Sequence, residues 1–290
     1  MKLGVVFPQT EIGAEAAAVR HYATTAEELG FDYLLAFEHV VGANPDRPGP
    51  WQRGPYDYES MFHEPMVLFG YLAAITTRIE LATGILILPQ RQTVLVAKQA
   101  AEIDVLSGGR LRLGVGVGWN SVEYEALGQD FQTRGKRQAE QVALLRKLWT
   151  ERLVDFSGGF DHVPDAGIHP LPIQRPIPIW FGGGADATLR RMARLGDGWM
   201  PNLSQPLDQL PARLEALRGY IRAAGRDPAA FGVDVRIDMD RTSEEDWPMM
   251  LVRLADLGVT HVCINTMGNG LDLDGHLDVV ARFHDVAASI

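Results

Sequence analysis

Apolar and polar positions along this chain of 290 residues fall into two alternating rhythms. Short β-branched or apolar runs are followed, nearly from end to end, by longer stretches in which apolar residues recur every three to four positions. Leu3–Phe7 precedes a predicted helix over Glu15–Leu29, and Tyr33–Phe37 is followed, after a polar Pro/Gly-rich excursion, by one over Pro65–Thr76. Ile79–Leu88 leads to a helix over Val94–Leu106, Leu111–Val117 to Gly135–Trp149, and Pro178–Gly183 to a helix ending near Leu195. Gly198–Met200 precedes Leu207–Ala224, Gly232–Met239 precedes Glu244–Leu257, and Val259–Asn265 precedes a last helix to Ala288.

Strict alternation of this kind requires parallel strands joined by helical crossovers, so the class is α/β. Eight such units without a composition shift that would mark a linker predict a (β/α)8 TIM barrel, a single domain over residues 1–290, rather than an open doubly wound sheet. Two long segments fall outside the rhythm. Gly42–Tyr58 leaves the C-terminal end of strand two, the active-site face of a barrel. Arg152–Pro176 follows helix four and carries a candidate hairpin, with Val154–Phe156 and Phe160–Val163 flanking Gly158-Gly159.

The barrel sorts the glycine-rich motifs by face. Ser107–Arg110 and Leu195–Trp199 join a helix to the next strand and read as caps and tight turns on the stability face. Phe37-Glu38-His39, Thr83-Gly84-Ile85, Gly116–Asn120 and Gly182-Gly183-Gly184 sit at strand C-terminal ends and should converge on one mouth. In RLRLGVGVGWN (110–120), period two puts Leu111, Leu113, Val115 and Val117 against the helices. Arg112, Gly114, Gly116 and Gly118 then face the interior, where bare backbone leaves room for a planar ring or merely relieves crowding. A dinucleotide fingerprint needs a third glycine at position 119, which is Trp119, and no strong helical periodicity opens before Gly135.

Gly182-Gly183-Gly184-Ala185 is the better anion site, because a strand ends there and a helix begins. Arg190 or Arg191 would add charge, and Asp186 would compete as a cap. His39, beside Glu38, is placed to act as acid, base or hydrogen-bond donor, or else as a structural histidine. His21, His63, His169 and His261 are less well placed. Thr83-Gly84 inside a strand marks either a simple bulge or a backbone pressed against a cofactor.

Composition narrows the picture further. A formal net charge of −10 argues against nucleic acid or an anionic membrane as partner. No apolar run approaches the roughly 18 residues of a membrane span, and no signal peptide is expected, so a cytoplasmic protein is expected. The single cysteine, Cys263, allows no intrachain disulfide and reads as a buried thiol. Strand one continues into Phe7-Pro8-Gln9-Thr10 without a His-x-His pair, so no metal is expected.

With these residues in view, the chain resembles the luciferase-like monooxygenase superfamily over nearly its whole length, most closely its deazaflavin-dependent oxidoreductases. The segments that carry the likeness are LGVVFPQ, ELGFDYLLAFEHV (28–40), the run 83–128, RGKRQAEQVALLRKLW (134–149) and the run 170–201. The resemblance implies a bacterial luciferase-like barrel binding coenzyme F420 or FMN at the strand C-termini, generally as a homodimer. It implies a non-proline cis peptide at Gly84-Ile85 beside Thr83, contacts from Gly116, Gly118, Trp119 and Asn120, and phosphate binding at Gly182, Gly183, Gly184 and Ala185. His39 matches the histidine of the acid–histidine pair near the ring, with Glu38 as its neighbour. One departure stands out. The deazaflavin-dependent sugar phosphate dehydrogenases carry a tryptophan a few residues past that histidine, where this chain has Val41-Gly42-Ala43.

The function expected on these grounds is an oxidoreductase exchanging a hydride between the deazaflavin and a small organic substrate. His39 would handle the proton, and Trp119 with Trp51, Tyr56 and Tyr58 would wall the pocket and exclude water. The alternatives are an FMN-dependent monooxygenase fed by a separate reductase, and a non-catalytic flavin-binding protein.

Overall fold

Period-two alternation becomes two faces of a closed sheet in the computed structural model, which describes residues 1–49, 51–201 and 207–290. The elements are β1 (Lys2–Val6), α1 (Ala16–Leu29), β2 (Tyr33–Ala36), α2 (Pro65–Ile75), β3 (Glu80–Thr83), β4 (Leu86–Ile87), α3 (Thr93–Ser107), β5 (Leu111–Gly116) and α4 (Ser121–Ala126). They continue with α5 (Arg134–Thr150), β6 (Val154–Ser157), β7 (His162–Ala166), β8 (Ile179–Gly182), α6 (Asp186–Leu195), β9 (Gly198–Met200), α7 (Leu210–Ala223), β10 (Gly232–Asp238), α8 (Trp247–Asp256), β11 (His261–Asn265) and α9 (Leu273–Ala288). Parallel pairing runs β1-β2-β3-β5-β8-β9-β10-β11 and returns to β1, which closes the predicted (β/α)8 barrel.

Outward residues of the strands, such as Leu34 and Ala36 of β2 and Leu111, Leu113 and Val115 of β5, join the helices in one continuous apolar core. Burying such side chains contributes about 1.5–3 kcal/mol each relative to exposure. Inward residues form a smaller cluster of Val6, Tyr33, Leu35, Phe37, Ala82, Trp180, Met200, Cys263 and Met267. The sorting of β5 therefore stands, including the inward direction of Arg112. Its Nη1 donates to Asp234 (2.9 Å) and its Nε to Glu80 (2.5 Å), and the guanidinium lies 4.4 Å from the ring centres of both Tyr33 and Trp180. These residues lie in the first half of their strands, so this buried pair plugs the N-terminal end of the barrel.

Three elements differ from expectation. The strand read as Ile79–Leu88 is two pieces: the Gly84–Ile85 peptide is cis, as the resemblance implied, and the chain rejoins the sheet as β4, paired with β5. Apolar residues on both sides of the break hide it from periodicity. A helix, α4, does open just after β5, where none was expected before Gly135; it has six residues, too few to show a period. The hairpin after α5 exists as β6 and β7, with bounds up to three residues later than expected and paired antiparallel. Cys263 is a buried free thiol, pushed well above its ordinary pKa by burial and the charge of Asp234. Among the described residues no helix is long and apolar enough to cross a membrane.

Candidate active site

Beyond β2 the alternation continues, so Phe37 and His39 turn inward to the mouth while Glu38 turns into the wall. The Glu38 carboxylate is fully buried, accepts from Ile87 N–H and is forked by Arg91, whose Nη2 also donates to Glu64 at 2.7 Å. Burial raises its pKa, more than Arg91 and the Ile87 amide lower it. Glu38 thus fastens the end of β2 to the chain after β4, and its oxygens are already taken.

His39 sits at the rim with its side chain 11% exposed. Its ring centre lies 4.9 Å from Phe62, 5.3 Å from Tyr56 and 5.6 Å from Trp119, an aromatic wall on three sides. Nδ1 lies 3.4 Å from Oε2 of Glu123, whose side chain is wholly buried. The other oxygen of Glu123 accepts from the backbone amides of Val40 and of Val41 (3.2 Å). Burial alone would push this carboxyl up. Hydrogen bonds from His39 and Val40, the charge of His39, and Gln90 outweigh it and hold Glu123 below its ordinary value.

Glu123 rides on α4. Asn120 caps that helix by accepting from Val122 N–H (3.1 Å) and donates to the Val41 carbonyl (3.3 Å). Gly118, at φ 65°, supplies the left-handed turn between β5 and this cap. Glu123 was not among the residues singled out from sequence. Asn120-x-x-Glu123 fits a capping box, the one signal for it, although here the glutamate reaches across to another loop instead of its own cap.

The loop after β2 covers this corner, with Pro50 outside the described residues. Gly54 is so close to Trp119 that a Cβ there would enter the indole ring. Tyr56 lines the mouth, but Tyr58 is 61% exposed and donates to Glu59, so it forms no wall. Trp51 is half-buried. On the opposite side Arg236 of β10 lies 5.3 Å from the Phe37 ring centre and forks onto Asp238 (2.6 and 3.0 Å), with its side chain 29% exposed. Nothing in the local pattern around Arg236 singles it out.

The inward glycines do not leave an empty floor. A Cβ at Gly116 or Gly182 would strike Ile85, and one at Gly114 the Thr83 carbonyl, while Thr83 Oγ1 donates to the Gly114 carbonyl (2.7 Å). Ile85 therefore lies across Gly116 and Gly182 at the top of the barrel interior.

At the end of β8 the chain turns through Gly183, at φ 97°, into α6. Ala185 occupies the cap position and offers no side-chain bond; Thr188 N–H donates to the Ala185 carbonyl (2.8 Å), and among the described residues no acceptor takes the amides of Asp186 and Ala187, which suit an anion. Asp186 does not compete for them, being engaged with Arg190 (2.7 Å) and Tyr220. Arg191 turns away to Gln138 (2.8 Å), whereas Arg213 of α7 donates to the Gly184 carbonyl (2.7 Å) and Trp199 to that of Gly183 (2.6 Å). The added cation near the glycines is thus Arg213 rather than Arg190 or Arg191.

This arrangement has known relatives. An uncharacterized protein of Mycobacterium tuberculosis is 41% identical over 205 residues, 70% of this chain and 67% of its own. An FMNH2-dependent dimethylsulfone monooxygenase of Pseudomonas putida is 29% identical over 78% of this chain and 59% of its own. Among solved structures, an F420-dependent secondary alcohol dehydrogenase captured with an F420–acetone adduct superposes with a TM-score of 0.79. It covers 99% of this chain and 98% of its own at 18% identity, a likeness of fold. Residues 1–275 match the luciferase-like monooxygenase family, and the chain belongs to it, as a luciferase-like oxidoreductase on a (β/α)8 barrel.

Proposed function

We propose that the protein is an F420-dependent oxidoreductase that exchanges a hydride with a small organic substrate at the barrel mouth. The observation that carries this reading is the pairing, on one rim, of a backbone-only anion site with a partly buried histidine in an aromatic pocket. The residues fit such a cofactor: the uncapped amides of α6 with Gly182, Gly183, Gly184 and Ala185 would hold its phosphate. Thr83, Gly84, Ile85, Gly116, Gly118, Trp119 and Asn120 would line its ring. When bound, the deazaflavin supplies or accepts a hydride.

The chain's own residues do the remainder. His39 takes or gives the accompanying proton. Glu38, clamped by Arg91, fixes the strand end that carries it. Trp119, Tyr56 and Phe62 keep water from the ring of His39.

Titration of the purified protein with F420 and with FMN, read by fluorescence, tests the cofactor; tight FMN binding without F420 binding overturns it. FMN is the second reading, supported by the FMNH2-dependent relative. In that case a separate reductase would supply reduced FMN. His39→Ala is expected to lower turnover about 10²–10⁴-fold with cofactor affinity kept within a few-fold. An unchanged rate removes His39 from the chemistry. A homodimer is part of the same proposal, and light scattering at the mass of one chain would contradict it.

A further inference from the structure

Glu123 is a carboxylate with no exposed side-chain surface, anchored on a helix of six residues and aimed at a loop that begins 84 positions earlier. Burying a charge costs several kcal/mol unless it is paired and hydrogen-bonded, so what pairs with it matters. One oxygen is taken by two donors that cannot reverse, the amides of Val40 and Val41. The second faces Nδ1 of His39, and the neutral Gln90 amide also lies beside the carboxylate. The other buried carboxylate of the region, Glu38, already has Arg91, and Arg236 is forked onto Asp238. Among the described residues, His39 is the titratable side chain that hydrogen-bonds to Glu123.

We propose that Glu123 is the positioning residue of the site: it holds His39 in the tautomer with the proton on Nδ1, leaving Nε2 bare as the proton-accepting atom. A carboxylate has acceptor sites only, so the nitrogen facing it must carry the hydrogen. The neutral ring then has its lone pair on Nε2. The same side chain also grips the amides of Val40 and Val41, so the ring's tautomer and the path of its loop are set by one group. The inference rests on the reading of His39 as the proton-handling residue only for its effect on turnover, not for the tautomer itself.

Glu123→Gln gives a directional test. Its amide oxygen must stay with the Val40 and Val41 amides, since these only donate. The NH2 group is then presented to Nδ1, which must become the acceptor, and the proton moves to Nε2. Nitrogen NMR of histidine-labelled protein, at a pH where the imidazole is neutral and with His39 assigned by its loss in His39→Gln, reads both nitrogens directly. The expected result is a protonated Nδ1 and bare Nε2 in the wild type, inverted in Glu123→Gln. Turnover of that variant should fall about 10²–10⁴-fold.

A wild-type ring with the proton on Nε2, or with a mixture of tautomers, overturns the proposal even if the variant does not fold. So does a folded Glu123→Gln that keeps Nδ1–H. If the tautomer is as proposed but His39→Ala turns over normally, the proposed function fails and this inference stands.

Discussion

One strand, β10, carries half of one arginine–aspartate pair and the whole of another, and they live in different worlds. Asp234 binds Arg112 in the N-terminal half of the barrel, where the two side chains are 1% and 3% exposed. Two residues on, Arg236 binds Asp238 toward the C-terminal mouth at 29% and 8% exposed. The lower pair is sealed: Tyr33 donates to Asp234 (2.6 Å), Glu80 holds the Arg112 Nε, and aromatic rings of Tyr33 and Trp180 lie against the guanidinium. Burial lowers the readiness of Arg112 to be charged, but Asp234 and Glu80 more than reverse this and raise its pKa. The upper pair stands beside Phe37 and Tyr56, and Tyr56 belongs to the aromatic wall around His39. Identical chemistry thus serves as a plug at one end and as an open polar edge at the other, and water access makes the difference.

Breaking the sealed pair should have the largest effect. Arg112→Met leaves Asp234 buried without its cation and is expected to cost about 3–5 kcal/mol in urea unfolding. Arg112→Met with Asp234→Leu removes both charges and should recover most of that loss, because the aromatic cage then closes on apolar groups. A double variant as unstable as the single one would mean that the pair contributes more than mutual compensation.

This contrast also measures what the sequence could say. Strand–helix alternation revealed the barrel, and period two sent Arg112 and His39 inward, because each residue's face follows from its own strand. Partners across the barrel do not follow from that rule. Nothing local links Arg112 to Asp234, 122 positions away, or His39 to Glu123. Adjacency misled at Glu38, since neighbours on a strand face opposite ways and Glu38 ended in the wall. The glycines of β5 and β8 were legible as close-approach positions. Thr83-Gly84 marked the break, but not that Ile85 is what approaches those glycines, because which side chain crosses the barrel does not follow from its own strand.

Gly182→Ala sharpens the mouth side of the comparison. Its Cβ would sit 2.8 Å from Cγ2 of Ile85, so one of the two must shift, at about 1–3 kcal/mol by overpacking. Adding Ile85→Ala restores room, and thermal unfolding of the double variant should then show strong non-additivity. Additive losses would mean that Ile85 is not the neighbour that Gly182 accommodates.

The sealed end should also announce itself in acid. His261 opens β11 with its ring centre 4.8 Å from that of Trp180. Burial first, then the charge of Arg112, then Lys2 and the amino terminus lower its pKa to about 3. Between about pH 6.5 and 3 the unfolded chain binds a proton that the folded one refuses, so the stabilisation is complete above pH 6.5 and drains away as pH falls. The slope is at most about 1.4 kcal/mol per pH unit from this group. His261→Asn removes the titration and should flatten the acid limb relative to wild type. An unchanged limb would assign the loss to other groups.

The smallest stability effect belongs to the open pair. Arg236→Met exchanges a half-buried guanidinium for a chain of similar length that keeps contact with Phe37, while Asp238 retains the side-chain amide of Asn265 (2.8 Å) as donor. Asp238 is 8% exposed at the mouth, where water can take over what Arg236 gave up. The expected cost is about 1 kcal/mol, well below that at Arg112, because a charge with access to solvent is not stranded when its partner leaves. Under the proposed function its effect should appear instead as weaker cofactor affinity or a higher KM. Urea unfolding of Arg236→Met and Arg112→Met in parallel decides the comparison: equal losses would mean that exposure does not separate the two pairs, and that the mouth is as sealed as the plug.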